Sequence, residues 1–123
     1  MKVAEIKKEI SAFAESKGLT AVQEYSTDDG TRIDLAILGS EGKLLAVEFE
    51  STYKWIHQRL LYNCVKVHRG GFDKVLFVYP FSAKGIDSSW IMKFARDGLR
   101  LDVRVVKPSE ALAEVSRLLS PAG

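Results

Sequence analysis

The sequence predicts an α/β domain built on a mixed sheet, and three observations carry that expectation. Apolar residues recur at helical spacing in some segments and alternate every second residue in others. Glycine- and proline-rich breaks separate those segments. The resulting order, αβββαβαβα, is a three-strand meander followed by strand–helix–strand units, which demands parallel pairs beside antiparallel ones and helices on the sheet faces. With 123 residues, 46% of them hydrophobic and 28% charged, the chain is expected to form one domain spanning 1–123.

Val3, Ile6, Ile10 and Phe13 lie on one helical stripe with Lys and Glu between them, and Gly18 stops the helix. Thr20 to Tyr25 suits a short strand, Ser26-Thr27-Asp28-Asp29-Gly30 a turn, and Arg32 to Leu38 a second strand. Gly39-Ser40-Glu41-Gly42 is a turn signal, and Lys43 to Glu50 then alternates, so the two runs form an antiparallel hairpin. Lys54 to Arg69 carries Ile56, Leu60, Cys64 and Val67 on a stripe closed by Gly70-Gly71, a helix with a glycine stop. Lys74 to Tyr79 is a nearly continuous apolar run ended by Pro80, the pattern of a central strand covered on both faces. Ile86, Trp90 and Phe94 mark a helix ending near Gly98, Leu101 to Val106 a strand, and Leu112, Val115, Leu118 and Leu119 a last helix. Ser120-Pro121-Ala122-Gly123 reads as a fraying tail. Each parallel crossover is expected to be right-handed.

Composition narrows the function classes. Cys64 is the only cysteine, so no intrachain disulfide can form, and a reducing compartment is expected. No apolar run approaches the roughly 18 residues needed to span a bilayer, and Met1 to Glu9 alternates Lys and Glu in place of an apolar leader. These features predict a cytoplasmic chain with no membrane partner. The net charge of +2 is too small to announce a nucleic-acid partner, so clustering must carry that argument. His57 and His68 have the wrong helical offset for a two-histidine metal site. Cys64, on the buried stripe without a paired histidine, reads as a small hydrophobe. Gly70-Gly71 precedes a strand, which is the wrong context for a phosphate-cradling loop.

The acids of the hairpin are the first candidate site. Residues two apart share a strand face, so Glu48 and Glu50 project with Leu44 and Ala46, while Leu45, Val47 and Phe49 face the other way. If Leu38 pairs with Leu44, leaving Gly39 to Lys43 as the loop, Ala36 pairs with Ala46 and Asp34 with Glu48. A loop one residue shorter sets Asp34 opposite Val47 and splits the acids unless a bulge restores the pairing; the first register is preferred. Carboxylates so grouped repel one another and push a pKa upward, and a cation resolves the conflict. Hard oxygen donors at this density suit Mg²⁺ or Mn²⁺, with the Phe49 carbonyl as a further ligand. The structural alternative is that Arg32, on the face of Asp34 in a regular strand, neutralises the acids in a salt-bridge network.

The following helix is the second candidate. Lys54, Arg59, Lys66 and Arg69 line it with positive charge, and Trp55 and Tyr62 are interleaved, a composition that contacts a phosphate backbone and stacks on bases. Trp55, Gln58 and Tyr62 share a helical face. The bland alternative makes the aromatics packing residues and the charges a solvated face.

Asp34 in Thr31-Arg32-Ile33-Asp34-Leu35 and Glu48-Phe49-Glu50 at the end of the third strand resemble the signature of the PD-(D/E)xK nuclease superfamily. That family has a restriction-endonuclease-like αβββαβ core, here extended by a C-terminal αβα, and carries an acid on its second strand and an acid-x-Lys on its third. The resemblance covers Glu9 to about Tyr79. Glu9 is similar to the helical glutamate that some members, archaeal Holliday-junction resolvases among them, add to the site. Gln58-Arg59-Leu60-Leu61-Tyr62 resembles the Gln-x-x-x-Tyr motif of RecB-type nucleases. The family's usual lysine is here Glu50, as in members that use acid-x-Glu, and Lys54 or Arg32 is the candidate to supply the missing positive charge.

The resemblance implies a metal-dependent endonuclease acting on DNA, duplex or branched, with Mg²⁺ or Mn²⁺ as cofactor. Asp34, Glu48, Glu50 and Gln58 would be catalytic, and Glu9, Asp34, Glu48 and Glu50 the metal set. Arg32, Lys54, Trp55, Arg59 and Tyr62 would contact the nucleic acid. It also implies a homodimer, since a chain this small needs two copies to reach both strands. Two alternatives stand beside it: a catalytically inactive nucleic-acid-binding module on the same fold, and an assembly subunit docking a second copy through the helix Ile86 to Phe94.

Overall fold

The structure, a computed structural model, describes residues 1–120; Pro121, Ala122 and Gly123, within the predicted fraying tail, lie outside the described residues. Helix α1 (Val3–Ser16) precedes strands β1 (Thr20–Ser26), β2 (Arg32–Gly39) and β3 (Gly42–Phe49). Helix α2 (Ile56–Arg69) leads to β4 (Lys74–Val78). The short helix α3 (Trp90–Lys93) widens into a π-turn over Phe94–Gly98 before β5 (Asp102–Val106), and a 3₁₀ turn at Pro108–Glu110 enters α4 (Ala111–Leu119). The five strands lie in sequence order in one sheet, β1 to β3 antiparallel, β3–β4 and β4–β5 parallel. This is the expected mixed sheet, flanked by helices on both faces.

Two cores sandwich the sheet. On one face, Ile56, Leu60, Cys64 and Val67 of α2 pack with Ile91, Met92 and Ala95 near α3 against Ala36, Ala46, Val75 and Phe77. Two crossovers of one hand, stepping in the same direction across the sheet, put both connecting helices on this side. On the other face, Ile10 and Ala14 of α1 and Ala111, Val115 and Leu118 of α4 cover Leu35, Leu45, Val47, Leu76 and Val78. Strand β4 feeds both cores with alternate residues, which explains its unbroken apolar run.

The hairpin departs from the preferred register near its turn. Gly39 pairs with Gly42 and Leu38 with Lys43, a tighter turn than expected, and a bulge then restores Ile37–Leu45, Ala36–Ala46 and Leu35–Val47. The pair Ala36–Ala46 is therefore the predicted one, reached through the bulge, and the ladder stops just before the predicted Asp34–Glu48 pair. Leu44 is the extra residue. It turns towards Phe13 and Leu119 on the α1 and α4 side, so it does not share a face with Ala46, because a bulge resets the alternation.

Helix α3 also differs. Ile86 sits in turns before the helix, which starts only at Trp90, after the cap Ser89, whose hydroxyl accepts from the Met92 N–H. That late start buries Ile91, Met92 and Ala95 and leaves Trp90 and Phe94 exposed, opposite to the predicted stripe. Among the described residues, no helix is long and apolar enough to cross a membrane.

Candidate active site

The site forms where β3 leaves β2. The β2–β3 ladder ends at Leu35–Val47, while β3 goes on pairing with β4 as far as Phe49–Val78. Beyond that point two side chains replace ladder bonds. The Asp34 N–H donates to Glu48 Oε1 at 2.8 Å, and the Phe49 N–H donates to Asp34 Oδ2 at 2.8 Å. The acids thus sit at the mouth of a splayed strand pair and clasp its backbone, each satisfying a donor that the sheet no longer satisfies.

Glu48 is buried, and its second oxygen, Oε2, lies 2.6 Å from Lys66 Nζ on α2. The same ammonium donates to the Arg32 carbonyl at 2.6 Å. Burial pushes the Glu48 carboxyl up to about 7, helped by the neighbouring charge of Asp34 and opposed by Lys66. Glu50 is buried too. Its Oε1 accepts from Asn63 Nδ2 at 2.7 Å, Arg59 Nη1 stands 4.0 Å from its Oε2, and burial raises its pKa above the ordinary glutamate value. Two adjacent buried carboxyls shifted towards neutral pH by burial, near specific cations, are a recognised mark of a functional site.

Glu50, Gln58, Arg59, Tyr62 and Asn63 line a shallow depression of about 370 Å³. Here the helix face predicted to carry Gln58 and Tyr62 meets the end of β3. Trp55 and Lys54 are exposed just before α2 begins. Trp55 holds a left-handed backbone (φ 57°), an uncommon conformation for a bulky residue, so the helix starts after it and later than the predicted Lys54.

Other expected members lie elsewhere. Glu9 is exposed on α1, whose buried residues belong to the opposite core. Arg32 is exposed, and among the described residues its guanidinium forms no ion pair with the acids. The reason is a break in alternation at Asp34. Ile33 is buried with the α2-side core and Leu35 with the opposite one, although residues two apart in a regular strand share a face. On β1, between the pairs Gln23–Leu35 and Tyr25–Ile33, Glu24 adopts φ 50° and pairs with Lys7 at 3.0 Å. Among the described residues, no three His, Cys, Asp or Glu side chains are grouped to hold a metal ion.

The sequence reasoning missed the partners that α2 supplies. Lys66 was expected to meet phosphate and instead pairs with Glu48; Asn63 was not expected at all. A signal exists: Arg59, Asn63 and Lys66 follow one another at helical spacing beside the apolar stripe Leu60, Cys64 and Val67, a polar row bordering a buried face. Compared with known proteins, the chain matches no protein-family model and no curated protein.

Proposed function

We propose that the chain is a metal-dependent nuclease-type phosphodiester hydrolase, related in its site to the PD-(D/E)xK pattern, with Lys66 in the role of the lysine that Glu50 replaces. The observation that carries this reading is the meeting of Asp34, Glu48 and the Lys66 ammonium at the splayed end of β2 and β3, with Glu50 two residues on. An ammonium beside two carboxylates is what a phosphoryl site requires: acids to hold a cation and a fixed positive charge to face the phosphate. Asp34 and Glu48 are hard oxygen donors, and Mg²⁺ takes only one or two carboxylates and keeps its waters, so the donor set fits without a third acid. Bound there, a divalent ion supplies Lewis acidity and a more acidic water. Glu50, its pKa raised above the ordinary glutamate value by burial, is the group suited to accept a proton. Gln58, on the rim, orients a ligand, and Lys66 holds negative charge on the phosphate.

A second reading rests on a specific observation. Both oxygens of Glu48, one of Asp34 and one of Glu50 already accept hydrogen bonds from the protein. A site closed in this way serves as a non-catalytic nucleic-acid-binding module, with the acids as backbone clasps and Lys66 as their counter-ion.

Labelled duplex, branched and single-stranded DNA incubated with Mg²⁺ or Mn²⁺ decides between them. Cutting by the wild-type chain that is lost in both Glu48→Ala and Lys66→Met supports the hydrolase. Binding without cutting on every substrate supports the module.

A further inference from the structure

The surface next to the acidic centre carries large aromatic side chains that the fold does not bury. Tyr53, Trp55 and Tyr62 are 63%, 71% and 62% exposed, and all belong to the segment running from the end of β3 through the first turns of α2. Tyr53 is held edge-to-face against Phe81, with ring centroids 5.5 Å apart. Trp55 holds a left-handed backbone, a conformation that a bulky residue adopts at a cost. Tyr62 lines the depression beside Glu50. Rings left in water at this density are expensive, and burying them against the core is not what this segment does.

The charge at the same place is modest. Lys54 and Arg59 are the exposed cations of the segment, and Arg59 is partly committed to Glu50 and to the Lys54 carbonyl. Beside the Lys66 ammonium, already paired with Glu48, these two cations neutralise about two phosphates, too few for a duplex held mainly by counter-ion release. Affinity must therefore come from the rings. Ring stacking needs the open face of a base, and paired bases hide their faces within the helix stack, whereas an unpaired strand presents them.

We infer that the rim formed by Tyr53, Trp55 and Tyr62 binds an unpaired nucleotide strand by base stacking and feeds it to the acidic centre. This rests on the phosphodiester reading above and adds the substrate class. Lys54 and Arg59 pair with the backbone between stacked bases, and Gln58 lines the depression beside Arg59 and Tyr62.

The test is fluorescence anisotropy of labelled oligothymidylate, oligouridylate and a hairpin duplex of equal length. The proteins are wild type, Trp55→Asn and Tyr62→Ala; asparagine tolerates the left-handed backbone at position 55. The two single-stranded probes separate DNA from RNA as the source of the strand, and either one supports the inference if it binds more tightly than the duplex. Each substitution is expected to weaken single-strand binding about 10-fold. The log–log salt slope is expected to be about −1.4, that of two phosphate contacts. The chain has two tryptophans, so in Trp90→Phe the strand must quench Trp55 fluorescence directly. Duplex bound as tightly as single strand, or unchanged affinity in both ring variants, overturns the inference and leaves the phosphodiester reading standing. No binding to any probe, with no cleavage, overturns both.

Discussion

Replacing Glu48 with glutamine isolates the electrostatics of the buried acid. The amide keeps an oxygen for the Asp34 N–H, which Glu48 Oε1 accepts at 2.8 Å, but it cannot ionise. In the folded chain the Glu48 carboxyl holds its proton up to about pH 7, against 4.5 as its ordinary value. Between those pH values the native state therefore binds more protons than the unfolded state. Stability from this group is fully present below about pH 4.5 and is lost as pH rises through about 7. At roughly 1.4 kcal/mol per pH unit, the loss is about 3 kcal/mol. Glu50 adds to it with the same sign, because burial raises its pKa as well. Urea unfolding followed by circular dichroism at pH 4.5, 5.5, 6.5 and 7.5 measures the effect. The difference between Glu48→Gln and wild type should move about 3 kcal/mol in favour of the variant across that range. Parallel curves, with the difference changing by less than about 1 kcal/mol, would refute the claim that burial holds Glu48 up.

Three further outcomes are expected. Lys66→Met at pH 8 leaves Glu48 buried without its cation and should cost about 3–5 kcal/mol in urea unfolding. Much of that cost should return in the double variant with Glu48→Gln, and additive effects would show that the pair does not interact. Cys64 is fully buried and its thiol is pushed up to about 12, so the native chain should react with a thiol reagent only at the rate of unfolding; fast labelling would contradict the packing of α2 on the sheet. Asp29 accepts hydrogen bonds from the Thr27 and Thr31 side chains and the Thr31 N–H, which lower its carboxyl from 3.8 to about 2. Its contribution to stability is present above 3.8 and lost as pH falls through about 2. An NMR titration should show that midpoint in the wild type and a rise towards 3.8 in Thr27→Val, and an unmoved midpoint would remove the hydroxyl from the account.

Periodicity alone determined the element order, the buried stripes Ile56–Leu60–Cys64–Val67 and Ile10 with its neighbours, and the shared face of Ala46, Glu48 and Glu50. These are local properties, since strand alternation and helical spacing need no knowledge of what lies opposite. Tertiary structure decided the rest. A bulge at Leu44, not a longer loop, pairs Ala36 with Ala46, because a tight Gly39–Gly42 turn and the buried faces of both strands must be satisfied together. The break at Asp34 turns Arg32 away from the acids, a consequence of how β1 and β2 meet around Glu24. The cation beside Glu48 is Lys66, distant in sequence and brought there by the packing of α2 across the sheet. Which charge answers a buried acid depends on the crossing of two elements, and no spacing within either one encodes it.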